Sequence, residues 1–179
     1  MSILECNSGQ KWTTYGMIQY ITHPKKTMDE CVFTVGTDNI HAYDDFMFTK
    51  LMYHQYNPNK REYYQFIVAL DKQDVSNTSL GRFIDFVQTV NYILSRWVYQ
   101  PKPEFQVISA IHFDKAPVYH AHIVVNNVSS YDGHRFPWDN QLFWLFRNLV
   151  NRLLIYYGFT PIPDERLNER SKIPNYFIH

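Results

Sequence analysis

The chain has 179 residues and a formal net charge of zero, and 45% of it is hydrophobic. That length and composition suit one globular domain with its own core and exclude a disordered chain. No apolar run is long enough to span a bilayer, so no membrane insertion is expected, and neutrality weighs mildly against a nucleic-acid binder while leaving room for one basic face.

Met1 to Gln10 reads as a loose start. In Lys11 to Ile21, Trp12, Tyr15, Met17 and Ile18 recur at helical spacing, and His23-Pro24 stops the helix. Tyr20 therefore sits near the C-terminal end of a short helix, just before the basic turn Pro24-Lys25-Lys26-Thr27. A phenol beside two cations can meet a phosphate. Taken alone, the pattern is more readily a core tyrosine with two solvated lysines.

Cys31 to Val35 is a short strand-like run that ends in the turn Gly36-Thr37-Asp38-Asn39. Asp38 or Asn39 caps a helix over His41 to Tyr53, which is expected to bury Phe46, Met47 and Met52 or Leu51. Asp44 and Asp45 lie in its first turn, where the helix dipole favours them. Glu62 to Leu70 reads as a central strand, because its second half is continuously apolar. Thr78 or Ser79 caps a long helix running to Arg96 or Val98, with Leu80, Phe83, Ile84, Val87, Val90, Leu94 and Trp97 along one stripe.

Phe105 to Asn127 is rich in residues that favour extended chain and divides at Lys-Ala-Pro into two neighbouring strands. Asp132-Gly133 then marks a hairpin turn. The last helix opens at Trp138 or Asp139, carries Phe143, Leu145, Phe146, Leu149, Val150, Leu153 and Leu154, and closes at Gly158. Residues 160–179 read as an extended tail. The element order predicts an α+β fold, a largely antiparallel central sheet with helices packed on it, in a single domain over 1–179. The chain is either a naturally short protein or the N-terminal part of a longer one. Cys6 and Cys31 lack metal-type spacing, and no signal-peptide pattern precedes them, so free thiols in a reducing cytoplasm are expected. The 14 Tyr and 13 Phe mostly fill the core, and some are free to stack on unpaired bases.

The chemistry concentrates in the paired strands. His120 and His122 point to the same face because side chains alternate along a strand. His112 lies near the end of the preceding strand and reaches the same site if the two pair. A His-x-His doublet is by itself more often a polar face than a ligand set. A third imidazole, the nearby Asp114 and the rigid base Ile123-Val124-Val125 turn the balance toward a divalent-metal site with open positions.

The segment IHFDKAPVYHAHIVVNNVSSYDG, with His112, Asp114, His120, His122, Asn126 and Asp132-Gly133, resembles the histidine motif of MobA/MobL-type relaxases, VirD-like members of the HUH single-strand endonucleases. Tyr156-Tyr157-Gly158-Phe159 is similar to that family's helix ending, and Ile18-Gln19-Tyr20-Ile21 with its basic turn resembles the nucleophile motif. The likeness spans roughly Tyr15 to Ile162. The chain departs from the pattern in a longer gap over Lys115 to Tyr119 and in Ala69-Leu70, where a Ser-Phe-like step is usual.

The resemblance implies a site- and strand-specific nick-and-join reaction on origin DNA during conjugative mobilisation. Tyr20 attacks and becomes linked to a 5′-phosphate. His112, His120 and His122 hold Mn²⁺ or Mg²⁺, with Zn²⁺ as the alternative, and the metal polarises the phosphate. Asp114 orients a ligand histidine or takes the tyrosine proton. Lys25, Lys26 and Arg135 contact phosphates. Partners are single-stranded or origin DNA, with accessory DNA-binding and coupling proteins. Two readings compete. Tyr156 or Tyr157 as nucleophile makes the chain a transposase or rolling-circle replication initiator, and histidines that only brace the fold make it a non-catalytic DNA-binding module.

Overall fold

A computed structural model describes residues 2–7, 13–75, 79–97, 102–114 and 118–163. Thr78, Val98, Lys115 to Pro117 and most of the tail lie outside the described residues, as does Trp12. The strands are β1 (Ile3–Asn7), β2 (Val32–Val35), β3 (Tyr63–Ala69), β4 (Val107–His112) and β5 (His120–Asn126). The helices are α1 (Thr14–Ile21), α2 (Ala42–Met52), α3 (Ser79–Ser95) and α4 (Asn140–Tyr156). The sheet order is β1-β3-β5-β4-β2 and every neighbouring pair is antiparallel, as expected for this α+β class.

β5 is the middle strand and every one of its residues is buried. Its alternation divides the sheet into two faces. Ala121, Ile123 and Val125 join Phe66, Val68, Ile111 and the inner sides of α3 and α4 in the larger core. Val124 joins Tyr63, Ile108, Ala110, the α1 residues Met17, Ile18 and Ile21, and the α2 residues Ala42 and Phe46 in a smaller core on the opposite face. His112, His120 and His122 belong to this second face, since His112 pairs with His120 and Ala110 with His122 across the ladder.

Local chemistry sets the ends of the helices. Thr13 accepts the Gly16 N–H at the start of α1, and Asp139 accepts the Leu142 N–H at the start of α4. At the end of α4, Gly158 adopts φ +76°, and the Phe159 and Gly158 N–H groups donate back to Leu154 and Ile155.

Two expectations are corrected. Residues 3–7 are not a loose start but an edge strand paired with β3, Ile3 opposite Ala69 and Asn7 opposite Gln65. Five residues hold too few repeats of an alternating pattern to stand out, and the pairing partner is about sixty residues away. In α2, Leu51 and Met52 face outward, and the buried side is Ala42, Phe46, Thr49 and Lys50. That rotation places Phe46 in the smaller core and lets the Thr49 hydroxyl donate to buried Gln106 Oε1 at 3.0 Å.

Candidate active site

The three histidines close into one cluster. Their ring centroids lie 4.4 to 5.2 Å apart, and one ring nitrogen from each falls within 4.8 Å of the others. Exposure is 0% for His112, 6% for His120 and 5% for His122, so these are rings set into the fold rather than surface imidazoles.

Neighbouring groups select which nitrogens face a ligand. His112 Nε2 donates to the Ile21 carbonyl at 2.8 Å, which leaves Nδ1 as the lone-pair nitrogen. The acceptor is one of the carbonyls that the C-terminal end of α1 leaves over. The Gln65 amide lies 2.9 Å from His122 Nδ1, and this outer hydrogen bond leaves Nε2 for the cluster. An amide serves either tautomer, offering its NH₂ to a bare Nδ1 or its oxygen to an Nδ1–H. Asp114 Oδ1 stands 3.8 Å from His120 Nε2, beyond hydrogen-bond length but within ion-pair range. The donor set fits a divalent ion. Three imidazoles converge, two of them have outer partners that fix their rings, and no fourth protein ligand joins the cluster among the described residues.

Tyr20 stands beside this cluster. Its ring centroid is 5.7 Å from that of His112 and 5.6 Å from that of His122. The helix that presents it is anchored at both ends. Glu62 accepts the Thr14 N–H and hydroxyl at the start, and the Ile21 carbonyl engages His112 at the finish. Met17, Ile18 and Ile21 bury the inner stripe of α1, which leaves Tyr20 on its flank, half-buried.

The remaining candidates divide. Lys26 reaches the site: its ammonium is 3.2 Å from Asp114 Oδ2 and 4.1 Å from the centre of the Tyr20 ring. Burial alone would raise the Asp114 pKa, but the Lys26 hydrogen bond and charge, with help from His112 and His120, hold it below the usual carboxylate value. Burial works against the Lys26 ammonium in turn, and the contacts with Asp114 and Tyr20 outweigh it, so its pKa is raised. Lys25 is exposed. Arg135 is not brought to the cluster. It lies beyond the Asn126 end of β5, bridged to Val128, with its guanidinium donating to Gln55 and to the Arg61 carbonyl.

Tyr156 is the last residue of α4 and Tyr157 its C-cap, on the other side of the sheet from the histidines. Tyr157 Oη lies 2.8 Å from the Thr89 hydroxyl, and Tyr156 is 78% exposed.

Sequence reasoning passed over Gln65. Its signal was a lone amide inside the otherwise apolar run Tyr63–Ala69, on a strand that pairs with the histidine strand. The contact is diagonal, since Gln65 faces Val124 and reaches His122 two residues away.

A family model described as the relaxase MobA/VirD2-like nuclease domain matches residues 20–159. No curated protein matches the chain. The matched span opens at Tyr20, takes in all three histidines and ends at Phe159, where the chain has just left α4. It covers most of the sequence, and the chain accordingly belongs to the MobA/VirD2-like relaxase family and carries that family's DNA-nicking nuclease domain.

Proposed function

We propose that this nuclease domain cuts one strand at a transfer origin with Tyr20 as the nucleophile and a divalent metal as cofactor, in the mobilisation of a plasmid or integrative element. The observation that carries the reading is the placement of the Tyr20 ring against His112 and His122, while Tyr156 and Tyr157 lie across the sheet. In this reading the Tyr20 oxygen attacks phosphorus, the bond to the 3′ oxygen breaks, and the products are a 5′-phosphotyrosine and a free 3′-hydroxyl. The covalent link conserves the bond energy for rejoining. His112, His120 and His122 hold the metal, Mn²⁺ or Mg²⁺ first and Zn²⁺ as the alternative. When bound it supplies Lewis-acid polarisation of the scissile phosphate.

Asp114 faces His120 and has the role of orienting that ring, in preference to taking the phenol proton. Of the three basic candidates, exposed Lys25 is the one left for a backbone phosphate, because Lys26 and Arg135 already engage protein acceptors.

The test is nicking of a supercoiled plasmid that carries the element's own origin, with and without chelator. Tyr20→Phe is expected to abolish the covalent adduct, and Tyr157→Phe to keep it. An adduct that survives in Tyr20→Phe and disappears in Tyr157→Phe would move the chain to the transposase or replication-initiator class. No nicking and no adduct with the unsubstituted chain would leave the non-catalytic module, and an adduct that survives in both variants would move the nucleophile to another residue.

A further inference from the structure

Lys25 and Lys26 are adjacent in the sequence, yet the fold gives them different work. Lys25 is exposed, whereas the Lys26 side chain is 25% exposed and held between the Tyr20 ring and the Asp114 carboxylate. The backbone reinforces the arrangement. The Lys26 carbonyl accepts the Phe113 N–H at 2.8 Å, one residue beyond the contact between Ile21 and His112 and one before the Lys26–Asp114 pair. The last residue of α1 and the turn after it are thus stitched to three consecutive residues, His112, Phe113 and Asp114, where β4 ends.

Tyr20 sits in the last turn of an eight-residue helix, on the flank rather than the buried stripe, so the buried side of the helix does not by itself set where its ring points. A cation against its ring is attracted by the π face. The Asp114 carboxylate fixes where that cation stands. An ammonium already neutralised by a carboxylate is also a poor choice for a DNA phosphate, which would have to displace Asp114 first.

We propose that Lys26 is a positioning residue, a clamp anchored on Asp114 that holds the Tyr20 ring toward the histidine cluster, and not a phosphate contact. The proposal rests on Tyr20 being the nucleophile. Misplacing a reacting group by about an ångström can cost about a hundredfold in rate without weakening substrate binding.

The experiment separates binding from chemistry. An oligonucleotide spanning the nick site of the element's origin serves as probe. Its dissociation constant and the single-turnover rate of adduct formation at saturation are measured for the full chain and for Lys26→Met, Lys26→Gln, Lys26→Arg and Lys25→Met, each checked by thermal melting.

Lys26→Met and Lys26→Gln are expected to lower the saturated rate by about 10- to 100-fold with affinity within about twofold. Lys26→Arg should recover most of the rate, since a guanidinium both stacks on a ring and pairs with a carboxylate. Lys25→Met should instead weaken binding and lower its salt dependence. Weaker binding with an unchanged saturated rate in both neutral Lys26 variants, or no recovery by Arg, overturns the clamp. Tyr20→Phe is run alongside. If it still forms adduct, the nucleophile assignment fails. If it is inactive and the Lys26 variants behave as binding mutants, only the clamp fails.

Discussion

Lys50 gives the sharpest quantitative expectation. It lies in the buried stripe of α2 at 1% exposure, and among the described residues no hydrogen-bond acceptor reaches its Nζ. Burial is the main cause that pushes its pKa down to about 8 from the ordinary 10.5, with Glu62 opposing and Arg135 assisting. At ~1.36 kcal/mol per pH unit, that gap sets a ceiling of about 3 kcal/mol on the cost of keeping the ammonium in the fold. Below pH 8 both the folded and the unfolded chain carry the proton, and the cost is present in full. Between pH 8 and 10.5 the unfolded chain holds more protons, so stability rises with pH; above 10.5 the cost is gone.

Lys50→Met keeps the stem and removes the charge. At pH 7 the variant should be more stable by about 1–3 kcal/mol, or roughly 4–8 °C in melting temperature for a gain of ~2 kcal/mol in a domain of this size. Melts or urea titrations from pH 7 to 10.5 should show the two proteins converging as the wild type gains stability. A variant less stable at pH 7, or a difference that stays flat across the window, would refute the account and show that the ammonium has a stabilising partner.

Three further expectations follow from the site and its supports. Gln65→Leu removes the outer partner of His122 and should weaken Mn²⁺ or Zn²⁺ binding by about 10- to 100-fold in calorimetry; an unchanged affinity would mean that His122 needs no such support. Gly133 has φ +78°, and a Cβ there would collide with the Tyr53 ring and with Tyr53 Cβ, so Gly133→Ala should cost roughly 2–4 kcal/mol in urea unfolding. Gly158→Ala, at φ +76° but facing only the movable end of Arg82, should cost about 1 kcal/mol, and equal losses at the two sites would discount the steric argument.

Much of the molecule was legible in the sequence because its signals are local. The apolar stripe of α3, that of α4 apart from the exposed Leu145, the Asp139 cap, the Asp132-Gly133 turn and Gly158 each announce themselves within a few residues. The alternation that sends His120 and His122 to one face is a property of any extended strand. It needed only the pairing of β4 with β5 to add His112.

Other features were decided by tertiary structure, since they depend on partners far along the chain. β1 exists because β3 offers it an edge, and α2 turns Lys50 inward because Phe46 and Thr49 are claimed by the sheet and by Gln106. Gln65 became a support for His122 only through a diagonal contact between strands, and Lys26 left its exposed neighbour Lys25 to join Tyr20 and Asp114, 88 residues away from the latter. Periodicity reports which face a residue takes. Which atoms then share that face is set by strand order and by the docking of helices, and these are long-range choices of packing that no short window of sequence contains.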